Sequence, residues 1–297
     1  VCASGCNCTS IQAAINAACP GDAIEVQSGT YHENVNVNKQ LTLQGKDTGS
    51  GLPVVDAGGS GNAITLSANN CTLKDFVAMN SSSGHSGIRV TSSSNTISGN
   101  TATGNYYGIY LQSSSGNTIS GNTATGNSQG GIHLESGSSN IISGNNATDC
   151  TYGISLVSSG SNTISGNNVT GNLFGIQLAT ASNGNTISEN IASNNNNSGI
   201  YLVSSNNNNI SDNTATGNSQ SGIYLSSSTG NSIPDNTITG NGSGIRTRSS
   251  PSYTISATPI TDSSYDGIYI KGPITTNLPT DSIHTQHSPL HHSDSFR

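Results

Sequence analysis

Charged and large aromatic side chains are both scarce in this sequence. Only 8% of the 297 residues are charged and 4% are aromatic, with no tryptophan, three phenylalanines and one methionine. A chain with so few hydrophobic residues could be disordered, but disorder usually comes with high net charge and no periodicity. Here the aliphatic residues recur at regular intervals, which excludes disorder.

Clusters of basic residues and long apolar runs are missing too. The eight lysines and arginines are scattered, the formal net charge is −7 and the isoelectric point is near 5.3. A nucleic-acid groove needs clustered cations, so we expect no nucleic-acid partner. No apolar run reaches the length of about 18 residues that a membrane helix needs, so we expect no transmembrane segment.

The cysteines indicate an oxidising compartment. The chain starts at Val1 and its one methionine is Met79, which removal of a signal peptide or a trimmed sequence would explain. Six cysteines predict disulfide bonds in a secreted protein, with the pairing left open: Cys2, Cys6, Cys8, Cys19, Cys71 and Cys150. The alternative is a zinc site, although Cys-x3-Cys-x-Cys is not a spacing typical of zinc ligands.

An internal repeat of 22 to 24 residues dominates the chain. The segment Asn-Thr-Ile-Ser-Gly-Asn begins at Asn95, Asn117 and Asn162, and near-copies lie between and after them. A second apolar anchor, Gly-Ile, runs in step with it. The resulting first-anchor positions are Leu73, Ile97, Ile119, Ile142, Ile164, Ile187, Ile210, Ile233 and Ile255. Such self-similarity is the signature of a solenoid.

Each repeat contains three short stretches in which inward and outward residues alternate. In the unit from Asn95 to Gln112 these stretches centre on Ile97, Ala102 and Ile109, and Gly, Asn or Ser residues separate them. One coil buries about four aliphatic side chains at roughly 1.5–3 kcal/mol each, less than ordering the coil costs, so coils must stack. We therefore predict an all-β, right-handed, single-stranded parallel β-helix.

One asparagine recurs three residues after the first anchor. Asparagine tolerates the left-handed conformation of a tight turn, and stacked amides can hydrogen-bond from coil to coil, so we predict a structural ladder. Its members are Asn100, Asn122, Asn145, Asn167, Asn190, Asn213 and Asn236.

The two ends of the chain differ from the repeats. Residues 1–21 form a Cys-rich segment with a capping helix over Thr9–Ala18, which Thr9 or Ser10 caps and Pro20-Gly21 ends. Residues 22–271 are predicted to form the β-helix, and 272–297 an irregular tail rich in Pro and His. No second cap is visible, so this end could bind another chain.

The segments Ile11-Gln12-Ala13-Ala14-Ile15, Gly21-Asp22-Ala23-Ile24-Glu25-Val26, Gly29-Thr30-Tyr31-His32-Glu33-Asn34-Val35 and Leu41-Thr42-Leu43-Gln44-Gly45 precede the repeats. Together with the repeats they resemble NosD-like parallel β-helix proteins of the pectin-lyase-like superfamily, many of them surface proteins of methanogenic archaea. The resemblance covers about residues 9–271 and rests on cap, strand and turn signals. It implies the fold, but the family includes lyases, epimerases, a copper-enzyme maturation factor and surface proteins.

Two sets of outward residues on the third strand could carry function. His133 and Glu135 project from one coil and form the best available acid–base pair, although a solvated face explains them as well. Four tyrosines share this outward phase and could bind carbohydrate or pack against another chain, or stabilise the sheet: Tyr110, Tyr201, Tyr224 and Tyr269.

Two further outward features involve acidic and hydroxyl side chains. Glu189, Asp212 and Asp235 share one turn position on successive coils and could hold Ca²⁺, or could simply be solvated acids. Thr-x-Thr pairs on the second strand resemble those of ice-binding β-helices, but three middle coils interrupt them.

Modification and metal motifs also occur. Eight Asn-x-Ser/Thr sequons are compatible with glycosylation, and those in the regular coils are expected at outward or turn positions, never in the inward ladder: Asn7, Asn70, Asn80, Asn146, Asn168, Asn196, Asn209 and Asn241. The histidines of the tail could bind a transition metal: His284, His287, His291 and His292.

Three functions follow from these observations. The first is a non-catalytic, extracellular structural or adhesive protein of a cell surface. We expect it to need no cofactor, with Ca²⁺ at the turn acids as the one candidate, and to associate with itself, other surface components or glycans. The second is a polysaccharide lyase or epimerase that uses His133 and Glu135. The third is a periplasmic copper-handling protein.

Overall fold

Short parallel strands and one helix make up the regular structure of the described residues, 1–2, 5–272 and 291–292 of this computed structural model. They form an all-β, parallel, right-handed solenoid of about 11 turns with three strands per coil. The predicted fold class is therefore confirmed. The chain divides into two compact units, Val1–Cys150 (unit 1) and Thr151–Arg297 (unit 2).

Unit 1 contains the helix and the first sixteen strands. These elements are α1 (Ile11–Ala17), β1 (Ala23–Gln27), β2 (Thr30–Tyr31), β3 (Val35–Val37), β4 (Thr42–Lys46), β5 (Val54–Asp56), β6 (Ile64–Leu66), β7 (Thr72–Lys74), β8 (Val77–Met79), β9 (Ser86–Val90), β10 (Thr96–Ser98), β11 (Thr101–Thr103), β12 (Tyr107–Gln112), β13 (Thr118–Ser120), β14 (Thr123–Thr125), β15 (Gly130–Glu135) and β16 (Ile141–Ser143).

Unit 2 continues the same pattern of short strands. Its strands are β17 (Tyr152–Val157), β18 (Thr163–Ser165), β19 (Phe174–Ala179), β20 (Thr186–Ser188), β21 (Ser198–Val203), β22 (Asn209–Ser211), β23 (Thr214–Thr216), β24 (Ser221–Ser226), β25 (Asn231–Pro234), β26 (Thr237–Thr239), β27 (Ser243–Arg248), β28 (Tyr253–Ser256), β29 (Ile260–Thr261), β30 (Ile268–Lys271) and β31 (His291–His292). Strand β31 lies in the tail that was expected to be irregular, and pairs in parallel with β30.

Successive coils stack their equivalent strands into three parallel sheets. In unit 1 the first sheet runs β1-β4-β7-β10-β13-β16, the second β2-β5-β8-β11-β14 and the third β3-β6-β9-β12-β15. In unit 2 the corresponding orders are β18-β20-β22-β25-β28, β23-β26-β29 and β17-β19-β21-β24-β27-β30-β31. Equivalent residues of neighbouring coils therefore lie one above the other.

The core of each unit is a set of aliphatic columns. Ile97 pairs in register with Ile119, and Ile119 with Ile142, and all three side chains have no exposed surface. Alternation along each strand explains this, because every second side chain points inward.

Buried asparagine ladders accompany the aliphatic columns. The amide oxygen of Asn122 accepts hydrogen bonds from the backbone N–H and the side-chain Nδ2 of Asn100 (2.9 and 3.0 Å). Its own Nδ2 donates to the carbonyl of Ile97 (2.9 Å) and to Oδ1 of Asn145 (3.0 Å). The other predicted ladder members are buried in the same way, and each unit contains two further ladders of buried asparagines that were not expected from the sequence. One precedes the first strand (Asn95, Asn117, Asn140, Asn162, Asn185, Asn208, Asn231) and one precedes the third (Asn105, Asn127, Asn172, Asn195, Asn218, Asn241).

The left-handed turn residue lies one position earlier than expected. The ladder asparagines do not have positive φ; the residue before each of them does, as in Gly99, Gly121, Gly144 and Gly166 (φ 61° to 65°). Glycine has no Cβ and adopts this conformation without strain. The amide of the following asparagine is then directed into the coil rather than used to form the turn.

The helix covers the first coil as predicted, and it is held by a distant carboxylate. Ser10 is the N-cap, with its side chain accepting from the Ala13 N–H, and Ile11 and Ile15 are fully buried. The Glu33 carboxylate accepts from the backbone N–H groups of Ile11 (2.8 Å) and Gln12 (3.0 Å). A carboxylate at this end satisfies helix donors that have no partner within the helix.

The cysteines differ from the expectation of general disulfide bonding. Cys2 and Cys6 form a disulfide, whereas Cys8, Cys19, Cys71 and Cys150 form none. Cys71 is buried, and its N–H donates to Oδ1 of Asn95, so it occupies a ladder position. Burial raises the pKa of both the Cys71 and the Cys150 thiol, the latter to about 11. These two thiols are therefore poorly placed to link chains.

The asparagine ladder predicts a large loss of stability on truncation. Asn122→Ala leaves the Ile97 carbonyl and the Asn100 N–H in the core without this amide, which we expect to cost about 2–4 kcal/mol. The urea midpoint of the variant, measured by circular dichroism, should fall accordingly. Asn209→Ala is the control because Asn209 is exposed. Equal midpoints for the two variants would contradict a stabilising ladder.

Candidate functional site

The outer side of the third sheet in unit 1 brings together the residues that the sequence suggested as an acid–base pair. Parallel register places Tyr110 between Arg89 and His133, and Gln112 beside Glu135. Alternation along each strand directs these side chains away from the core. Because neighbouring strands pair in register, equivalent outward side chains form a row that runs from coil to coil.

This outward group is sealed rather than open. The His133 ring stacks on Tyr107 with a centroid distance of 4.6 Å and an interplanar angle of 7°, and only 9% of His133 is exposed. Tyr110 is 7% exposed, and its hydroxyl donates a hydrogen bond to the Glu135 carboxylate. The Arg89 guanidinium lies 5.6 Å from the Tyr110 ring centroid. A substrate would have to displace Tyr107 to reach the imidazole. We call Arg89, Tyr107, Tyr110, His133 and Glu135 the sealed cluster.

Burial changes the proton equilibria of the sealed cluster. Burial lowers the pKa of His133 to about 4, and the nearby Glu135 charge opposes this shift only in part. Burial raises the pKa of Tyr110, and the hydrogen bond and charge of Glu135 raise it further. At neutral pH the imidazole and the phenol are therefore both uncharged. In these protonation states the imidazole can accept a proton and the phenol can donate one.

The outer side of the third sheet in unit 2 carries an aromatic ladder. The rings of Tyr152, Phe174, Tyr201 and Tyr224 stack in succession at centroid distances of 5.5, 5.1 and 5.2 Å. Arg246 then lies 5.2 Å from the Tyr224 ring and 5.3 Å from the Tyr269 ring. Neighbours cover the faces of the inner rings, so their edges face solvent. Sugar rings stack on open aromatic faces, so this arrangement favours the stabilising role over stacking on carbohydrate.

Two members of the ladder were missed from the sequence. Tyr152 and Phe174 are the first residues of β17 and β19, three positions before the residues that share the row of Tyr201. Their position just before Gly-Ile is the signal that could have found them, together with Tyr107 at the same phase of unit 1.

The acidic turn residues lie on the surface, one on each of three successive coils. Glu189, Asp212 and Asp235 are exposed and occupy the left-handed turn position, with φ between 58° and 59°. Within the described residues no group of three His, Cys, Asp or Glu side chains is arranged to hold a metal ion. One carboxylate per coil, at a coil spacing of about 4.8 Å, does not converge on a common point. Ca²⁺ binding at these turns stays a prediction.

One sequon lies where none was expected. Asn241 has no exposed surface, and its Oδ1 accepts from the backbone N–H and Nδ2 of Asn218 (2.9 and 2.8 Å), so it belongs to a buried ladder. A glycan cannot be attached there in the folded chain. The other sequon asparagines are exposed or half-buried: Asn7, Asn70, Asn80, Asn146, Asn168, Asn196 and Asn209.

Two of the four tail histidines fall outside the described residues. His284 and His287 lie outside the described residues, and for His291 and His292 only the backbone of β31 is described. The proposed transition-metal site therefore stays a prediction.

An open cleft of about 580 Å³ in unit 1 was not foreseen from the sequence. It lies along the turn that joins the second and third strands, and its lining residues are Ser81, Ser83, Gly104, Asn105, Tyr106, Gly126, Asn127, Ser128 and Asp149. The Tyr106 ring contacts the Tyr107 ring edge-on at 4.8 Å. The cleft thus combines an aromatic ring, several hydroxyls and a carboxylate, which suits a polar, ring-shaped ligand.

Comparison with known proteins agrees with this architecture. Residues 86–236, half of the chain, match the profile of the family described as "Right handed beta helix region". The chain belongs to this family. No curated protein matches the chain. Among the described residues, no α-helix is long and apolar enough to cross a membrane.

Solved structures resemble this β-helix at low sequence identity. The A-module of the Azotobacter vinelandii mannuronan C-5 epimerase AlgE4 is 19% identical over 94% of this chain and 95% of that one, with a TM-score of 0.73. The periplasmic alginate epimerase AlgG is 17% identical over 93% and 81%, with a TM-score of 0.60. The Dettilon tailspike protein gp208 is 16% identical over 89% and 61%, with a TM-score of 0.61. These likenesses show the shared fold.

The low pKa of His133 predicts a pH-dependent stability. Because the folded protein disfavours protonation of the imidazole, the unfolded chain takes up the proton first as the pH falls from 6.5 to about 4. We expect a loss on the order of 2–3 kcal/mol over this interval, and full stability above it. Urea midpoints at several pH values measure it. His133→Phe keeps the stacked ring and should remove this component, whereas the exposed control His32→Gln should retain it. Parallel pH profiles for wild type and His133→Phe would contradict the assignment.

Proposed function

We propose that the protein is a non-catalytic, extracellular β-helix protein that binds glycans at a surface. The observation that carries the proposal is a difference in access between two places on unit 1. Tyr107 covers the imidazole of the His133–Glu135 pair, whereas the cleft beside Tyr106 is open. Binding needs an accessible shape with polar groups, whereas catalysis needs the reacting groups themselves to reach the substrate.

The chemistry of the cleft supports a saccharide ligand. An aromatic ring offers its surface to the C–H groups of a sugar, and a carboxylate accepts hydrogen bonds from neighbouring sugar hydroxyls. Asp149 is exposed in the cleft, and Thr125 Oγ1 lies 3.4 Å from its Oδ2. The serines add hydroxyls that can both donate and accept.

Several features support an extracellular location. The Cys2–Cys6 disulfide suits an oxidising compartment, and most sequon asparagines are accessible for glycosylation. Structurally similar proteins include a periplasmic epimerase and a phage tailspike. The NosD-like resemblance, with its archaeal surface proteins, belongs to the same proposal.

A polysaccharide lyase or epimerase is the second candidate. The sealed cluster favours it because it places an uncharged imidazole and an uncharged phenol beside Arg89, a cation that could neutralise a sugar carboxylate. Two of the structurally similar proteins are alginate epimerases. This function would require Tyr107 to move away from the face of His133.

The glycan-binding proposal can be tested at Tyr106. We expect Tyr106→Ala to weaken binding by about tenfold in affinity electrophoresis or on a glycan array, since one aromatic contact contributes roughly 0.5–1.5 kcal/mol beyond its buried area. Tyr265→Ala is the matched control, because Tyr265 is 68% exposed and lies far along the chain from the cleft. If wild type binds no glycan, or if Tyr106→Ala binds glycan as tightly as Tyr265→Ala does, the cleft is not the binding site.

Catalysis can be tested separately on alginate and other polyuronates. We expect wild type to release no unsaturated product, followed by ultraviolet absorbance, and to leave the uronate composition unchanged by NMR. Turnover that disappears in His133→Ala and in Glu135→Gln but persists in Tyr265→Ala would establish the second candidate instead.

A further inference from the structure

Six of the eight charged side chains in the described part of unit 2 lie in two groups. Arg246, Arg248 and Lys271 are the only lysines or arginines between residues 151 and 296, and all three lie on the outer side of β27 and β30. Glu189, Asp212 and Asp235 lie on the turn after the first strand of three successive coils. We call these groups the basic strip and the acidic row.

The basic strip places like charges beside one another. Parallel pairing sets Arg248 directly opposite Lys271, and both side chains are exposed. Like charges that face each other across a sheet are destabilising. Arg246 is packed between two tyrosine rings, but Arg248 and Lys271 have no carboxylate partner within the described part of unit 2.

The acidic row is equally uncompensated and replaces a better turn residue. Four earlier coils place glycine at this left-handed position, namely Gly99, Gly121, Gly144 and Gly166, whereas these coils place Glu189, Asp212 and Asp235 there. A non-glycine residue is less favourable in this conformation, glutamate more so than aspartate. Since the ion pairs of the described residues join His32 to Asp56 and Lys46 to Glu25, none of them involves the row.

The two rows complement each other in sign and in spacing. Each repeats along the solenoid with the coil spacing of about 4.8 Å, so a row on one copy can run beside a row on another in register. In a three-sided coil the turn between the first and second strands lies across from the third strand. The two rows therefore face in different directions and cannot pair within one chain.

We propose that copies of this chain associate side by side, with the acidic row of one copy against the basic strip of the next. A contact between two different surfaces is head-to-tail and can continue beyond a dimer. At about 0.1 M salt the Debye length is about 10 Å, so remote repulsion from the net charge of −7 is largely screened while charges in contact still attract. The inference is independent of glycan binding at Tyr106.

Neutralising each row in turn tests the proposal. The first variant carries Glu189→Gln, Asp212→Asn and Asp235→Asn, and the second carries Arg248→Gln and Lys271→Gln. In analytical ultracentrifugation at about 0.1 M NaCl, wild type should form species larger than a dimer as concentration rises, and its association should weaken by about tenfold or more at about 0.5 M. Each variant alone should be monomeric, and an equimolar mixture should form dimers, because each contributes the row that the other lacks.

Controls separate this contact from other causes. Asp262→Asn removes an exposed acid with a similar φ of 54° outside the row and should associate like wild type. Circular dichroism should show the same fold for every variant. A monomeric wild type, association that survives neutralisation of both rows, or loss of association on adding EDTA, which would indicate a bridging metal ion, would each overturn the proposal.

Discussion

The repeated hydrogen bond between asparagine amides of neighbouring coils is the interaction on which the rest of the structure depends. A coil has too little apolar surface to be stable alone, and its turns bring backbone carbonyls and N–H groups into the interior. Asn100, Asn122 and Asn145 satisfy these groups and at the same time bind one coil to the next. Because each amide needs its neighbour, the ladder fixes the register of every coil.

The same register dictates the chemistry of the surface. When equivalent positions lie one above another, each outward residue meets its counterpart at coil spacing, so a repeated tyrosine becomes a stack and a repeated acid becomes a row of like charge. Stacking in Tyr201 and Tyr224 is favourable and covers the ring faces, whereas Arg248 beside Lys271 is unfavourable without an external anion. The proposed binding cleft, by contrast, lies where the repeat is broken, beside Tyr106 and Asp149.

Similarity to epimerases and tailspikes extends to the fold and leaves the chemistry to the particular residues. A β-helix presents the same outward positions whatever occupies them, so the same scaffold serves catalysis and adhesion. Here Tyr107 covers His133 and Tyr110 engages Glu135, which separates this surface from an open catalytic groove.

The periodic sequence alone determined the fold class, the stacking of Ile97 over Ile119, the capping helix and the row of tyrosines on the third strand, because these depend on alternation and on the repeat length. Only the tertiary structure decided what the outward residues do, since that depends on neighbours from other coils. Residue spacing could not show that Tyr107 lies on His133, that Glu33 binds the start of the helix, or that Asn241 is buried and Cys71 takes the place of an asparagine. Each of these is a contact between residues about 22 or more positions apart, set by side-chain packing rather than by local pattern.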